Sequence, residues 1–165
     1  MLKELITKHF DNILYIQIWS EMLKVKDVNS GAEFYQPPYI ALEKNSKGKL
    51  IVKAAGLEAK NLSGTPNIEV INPFSHPRLL IADFQKAEKI LMHAVREVCA
   101  RKFFAPSPRV VIHPMEKLEG GLTDIELRAF RELCIGAGAR EVVVYVGSSL
   151  LTQGFNYTEI KQQGI

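Results

Sequence analysis

Arg109-Val110-Val111-Ile112-His113, stopped by Pro114, decides how this chain is read. An unbroken apolar run of this length, without polar alternation, suits a strand buried on both faces, as parallel strands are. Upstream, Asp83 is a good N-cap for a helix in which Phe84, Ala87, Leu91, Ala94, Val95 and Val98 recur at helical spacing. That helix is expected to run to Lys102, and Phe103-Phe104-Ala105-Pro106-Ser107-Pro108 forms an irregular loop before the strand. Downstream, Thr123-Asp124-Ile125-Glu126 has the form of a capping box, with the stripe Leu127, Phe130, Leu133, Cys134 and Ala137 behind it. Gly136 and Gly138 stop this second helix, and Glu141–Val146 reads as another buried strand.

Towards the N-terminus, Met1, Leu2, Leu5, Ile6 and Phe10 lie at helical spacing, which predicts a short amphipathic helix over residues 1–10. Ile13 to Val28 alternates as two strands joined by a tight turn near Ser20-Glu21. Because Pro37-Pro38 cannot sit inside a central strand, Gly31 to Leu42 is expected to hold one short edge strand, around Tyr39–Leu42. Asn45 to Gly48 is a turn, followed by a strand at Leu50–Ala54, a helical segment near Leu57–Leu62 and a strand at Asn67–Ile71. Residues 147–165 form a polar, weakly patterned tail with one helical turn at Ser149–Thr152. A strand meander leading into β-α-β-α-β gives an α/β domain with a mixed sheet flanked by helices and right-handed crossovers.

The bulk numbers fit one soluble domain. The 165 residues are 47% hydrophobic and 24% charged, which argues against disorder or a fibrous class. The net charge of +3 is spread among both signs, with no basic aromatic stripe, so nucleic acid is not an expected partner. Cys99 and Cys134 fall on apolar helix faces with no CxxC partner and read as reduced core residues of a cytoplasmic protein. No apolar run approaches the roughly 18 residues that span a bilayer. His9, His76, His93 and His113 share no ligand spacing, so they read as solvated or structurally satisfied and no metal is expected. A nucleophile elbow is missing, and Gly136-Ala137-Gly138 follows a helix where a dinucleotide fingerprint would open one.

Three runs in order, Arg101 to Val111, Ile125 to Glu132 and Gly136 to Val142, resemble the MreB rod-shape-determining bacterial actins. Weaker similarity reaches back through Ile81-Ala82-Asp83-Phe84, Gly56 to Lys60 and Met1-Leu2-Lys3, and forward to about Gly154, leaving 155–165 as a tail. The resemblance implies one lobe of the actin-like, ribonuclease-H-like ATPase fold across residues 1–165, with a small inserted subdomain at 29–75. It also implies ATP binding between two lobes, membrane-bound filaments and direction of cell-wall synthesis. The departures bear on those implications. Where the family carries an Asp-Leu-Gly-Thr phosphate loop, this chain reads Gln17-Ile18-Trp19-Ser20, losing the metal-organising acid and the glycine that lets backbone amides approach phosphate. Tyr145 to Ser149 replaces a Glu-Glu-Pro stretch. The reading is therefore a pseudo-ATPase with no catalytic residue, no cofactor, no nucleotide and no metal. Glu126 aligns with the family's water-positioning glutamate, but the capping role outweighs that one.

Leu2, Leu5, Ile6 and Phe10, with Phe103 and Phe104, have two open readings. They pack on the domain, or they touch the inner face of the cell membrane as the resemblance implies. Trp19 is a candidate interface residue, since a large aromatic at the mouth of a vacated cleft suits a packed contact. The leading expectation is a non-catalytic actin-lobe protein acting through a protein partner or self-association, in cell-shape or envelope-associated assembly. A peripheral inner-membrane adaptor and one half of a two-chain ATPase are the alternatives.

Overall fold

The computed structural model describes residues 12–100 and 106–165. The main layer is a five-stranded mixed sheet in the order β3-β2-β1-β7-β8. Its strands are β1 (Ile13–Ile18), β2 (Leu23–Asp27), β3 (Glu33–Gln36), β7 (Arg109–Pro114) and β8 (Glu141–Val144). β1, β2 and β3 pair antiparallel, while β1, β7 and β8 run parallel. β7 thus lies inside the sheet between β1 and β8, with Tyr15 opposite Val111 and Gln17 opposite His113.

Cover on both faces explains why β1 and β7 are largely apolar, with Gln17 and His113 as buried polar exceptions. Leu14, Ile16 and Ile18 with Val110 and Ile112 face one side, packed on Ile90, Leu91, Leu133 and Phe130 from α2 (Phe84–Cys99) and α3 (Asp124–Gly136). Ile13, Tyr15, Val111 and Val143 face the other, where Tyr157 and Ile160 of α4 (Tyr157–Gln163) cover them. A strand covered on both faces has no solvent side on which polar residues belong.

Both long helices have the ends the sequence predicts. The Asp83 carboxylate accepts from Lys86 N–H at 3.1 Å, and Thr123 and Glu126 complete the capping box. α3 closes in a Schellman turn: Gly138 at φ +104° donates to Ile135 and Ala139 donates to Cys134. Burial pushes the Cys134 thiol far up, as befits an inert core residue. The second layer is an antiparallel sheet in the order β5-β4-β6, from β4 (Ile40–Lys44), β5 (Leu50–Ala55) and β6 (Ile68–Ile71). α1 (Gly56–Asn61) seats Ala59 against Ala41 and Ala54 on its face.

Four expectations are corrected. Residues 31–42 hold two strands, because Pro37-Pro38 is the crossing point from β3 in the large sheet to β4 in the small one. α2 ends at Cys99, with Ala100 as its cap, rather than reaching Lys102. β8 stops at Val144, although Tyr145 N–H still donates to Ile112 at 2.9 Å. The tail has no helix at 149–152 and instead folds as α4, because Asn156 caps it by accepting from Thr158 and Glu159. The tail then finishes against the sheet edge. Ile165 N–H donates to Val144 at 2.9 Å, and a Cβ on Gly164 would lie 2.3 Å from Val143 Cγ1, so only glycine allows the approach.

Candidate functional site

The loops at the C-terminal ends of β1 and β7 bring together three of the residues the sequence singled out, Gln17, Trp19 and Ser20. β1 delivers Gln17, then Trp19 and Ser20 in the turn to β2, which Trp19 N–H closes on Met22 at 2.9 Å. Met115 extends the parallel ladder past β7 by donating to Ile18 at 2.9 Å, and this aims Glu116 at the turn. Glu116 Oε2 accepts from Ser20 N–H at 2.9 Å, while Ser20 carbonyl accepts from Asn72 Nδ2 at 2.8 Å. The Ser20 hydroxyl and amide together hold the Glu116 carboxyl below its usual range, with Lys117 adding to the effect. An internal carboxylate therefore occupies the amide of the turn.

Gln17 is buried, and its Nε2 donates to Ser149 Oγ at 3.4 Å and to Met115 Sδ at 3.6 Å. The tail thus crosses the end of β1 directly over that side chain. Trp19 is half-buried, neither a core residue nor fully free. Glu126 stands apart. Its Oε2 accepts from Thr123 N–H and Thr123 Oγ1, each at 2.8 Å, and it lines an apolar cavity of about 250 Å³ with Leu79, Ile81, Phe84 and Phe130. Among the described residues no hydrogen bond joins Glu126 to Gln17, Trp19 or Ser20. Leu2, Leu5, Ile6, Phe10, Phe103 and Phe104 lie outside the described residues.

A polar ladder that sequence reading missed runs beneath the tail. Leu150 N–H donates to Tyr15 Oη at 3.2 Å, and Tyr15 Oη lies 2.7 Å from His113 Nδ1. His113 Nε2 lies 3.0 Å from Gly147 carbonyl. Since that carbonyl can only accept, the imidazole carries its proton on Nε2 and takes the phenol proton at Nδ1. Burial lowers the His113 pKa, opposed by the Gly147 bond, and burial likewise raises that of Tyr15. His113 is the satisfied histidine expected from the sequence. Its partners were findable only once β1 and β7 were known to pair in parallel, which puts Tyr15 and His113 two residues apart on one face. Among the described residues no group of three or more His, Cys, Asp or Glu side chains could hold a metal.

Residues 22–154 match the model of the MreB/Mbl protein family. The chain belongs to that family. The cell shape-determining protein MreB of Escherichia coli (strain K12) is 36% identical over 136 residues, covering 81% of this chain and 38% of the relative. Among solved structures, MreB5 of Spiroplasma citri bound to AMPPNP superposes with a TM-score of 0.60 at 19% identity, over 82% of this chain and 38% of that one. A MamK double helical filament gives 0.57 at 14% identity, over 82% and 41%. The fold is an actin-like α/β lobe, and the chain spans less than half the length of these MreB/Mbl relatives and neighbours. Among the described residues no helix is long and apolar enough to cross a membrane.

Proposed function

We propose that this MreB/Mbl family member is a non-catalytic actin-lobe protein that works by protein association, in a cytoplasmic assembly tied to cell shape or the envelope. The observation that carries the reading is the bond from Ser20 N–H to Glu116 at 2.9 Å. A turn that binds phosphate offers free backbone amides to an anion. Here the chain supplies its own anion, and a second carboxylate-sized charge cannot share the amide without strong repulsion. The bonds from Gln17 to Ser149 and Met115 support the same reading, because a buried amide committed to the tail replaces an acid able to organise metal-bound water. Glu126 acts as a cap.

What stays accessible supports association. Trp19 stays half-buried at the rim of this closed end, where an aromatic anchor gains most from a partner. The MreB5 structure carries AMPPNP and the MamK structure is a filament, so nucleotide binding and assembly are each to be tested in this chain. The test of the closed site is calorimetry of the full chain with millimolar Mg-ATP and Mg-ADP. No saturable heat is expected. Saturable binding of either nucleotide would overturn the non-catalytic reading.

A further inference from the structure

The tail is held over an apolar sheet face by packing, by the Ile165 to Val144 backbone bond at its end, and by a buried hydrogen-bond ladder that contains a histidine. Phe155, Tyr157 and Ile160 seat on Ile13, Tyr15, Val111 and Val143, with Phe155 ringed 5.6 Å from Tyr15. Gly147, Ser149 and Leu150 carry the polar attachments at its start, to His113, Gln17 and Tyr15 respectively, while Lys161 and Ile165 attach its end to Glu141, Val144 and Arg131. We propose that residues 147–165 form a releasable strap latched by His113, and that protonating this imidazole frees the strap and bares the sheet face beneath it.

The proton count makes the latch directional. In the neutral form every group has its complement: Leu150 N–H to Tyr15 oxygen, Tyr15 O–H to Nδ1, and Nε2–H to Gly147 carbonyl. A proton added at Nδ1 turns that acceptor into a donor facing the phenol. Tyr15 oxygen then receives from both Leu150 and His113, and its own hydrogen is left without an acceptor in a buried site. An unsatisfied buried donor and an unpaired buried charge are both costly. Among the described residues, Gly147, Ser148 and Ser149 of the strap are exposed, so lifting the strap admits water to the ladder at least cost to the sheet.

The groups that face His113 are aromatic rings and backbone of the tail. From β1 it faces Tyr15, and beyond β8 the Tyr145 ring meets it edge-on at 4.9 Å. The tail presents a carbonyl and an amide, and no charged side chain contributes to the lowering of its pKa, which comes from burial. Elsewhere under the strap, Lys161 pairs with Glu141 and holds that carboxyl below its usual value, while Arg109 lies 4.4 Å over the Tyr157 ring. Glu159 is exposed on the outside of α4. Beyond β7, Glu116 is likewise held low by Ser20. His93 lies on α2 against Phe34, on the opposite face, and His76 lies in the loop before α2.

Amide exchange on the full chain, expressed as protection factors, tests this at about pH 7.5 and about pH 5. Tail amides over 147–165 are expected to lose at least about tenfold in protection relative to β1 and β7 on acidification, and in His113→Gln that loss should vanish. An NMR titration of the His113 ring in the wild type supplies a readout that needs no variant: its midpoint should coincide with tail release. Tail protection unchanged at about pH 5, loss of β1 and β7 protection in step with the tail, or a midpoint that differs from the release midpoint would each overturn the strap.

Discussion

The two faces of the main sheet are covered by different means. On one, α2 and α3 lay regular apolar stripes on Leu14, Ile16, Val110 and Ile112, each helix with its own side-chain N-cap. On the other, a seven-residue helix offers Tyr157 and Ile160 with Phe155 before it, and polar hold is added by Tyr15, His113 and the carbonyl and amide of the tail, by Lys161 on Glu141 and by Ile165 on Val144. The first cover is apolar and regular. The second is polar, long-range and tied to one protonation state, so the two should fail differently.

Truncation should show this most strongly. Phe130 is buried at 2% exposure in the α2/α3 face, and Phe130→Ala should cost about 3–5 kcal/mol in denaturant unfolding. Ile160→Ala in α4 should cost no more than about 2 kcal/mol, because the tail can open without the sheet. Equal losses at the two sites would erase the distinction. Acid supplies the next contrast. The folded His113 pKa is lowered from 6.5, so the unfolded chain binds more protons below about that pH. Stability contributed by the neutral imidazole is fully present above this range and is lost as pH falls through it towards the folded value. Unfolding free energy measured across the window should slope downward with acid in the wild type and flatten in His113→Gln.

The same contrast governs what the sequence revealed. α2, β7 and α3 were legible because their caps and apolar periods lie within a few residues of one another, and Thr123-x-x-Glu126 stands in the structure as read. β3 was obscured by the adjacent Pro37-Pro38, which separates two sheets, and α4 by having only two apolar anchors. Gln17, Trp19 and Ser20 were picked out as a group, yet Glu116, which answers Ser20 from 96 residues away, carries no mark of its own. Such pairings are written in topology, and a single sequence does not show them. The smallest effect expected is at the cap. Glu126→Gln should change stability by less than about 0.5 kcal/mol, since glutamine also completes the box, whereas Thr123→Ala should cost about 1 kcal/mol. A large functional loss in Glu126→Gln with unchanged stability would return that residue to a catalytic role.

Association through the closed end of β1 is the central property proposed for this protein. Sedimentation velocity over a concentration series, for the wild type and Trp19→Ala with their unfolding curves, tests it directly. Reversible self-association in the wild type, weakened in Trp19→Ala with less than about 1 kcal/mol lost in stability, is the predicted result. A strict monomer at every concentration, with Trp19→Ala losing the ~3–5 kcal/mol of a core aromatic, would make Trp19 internal packing and contradict the account.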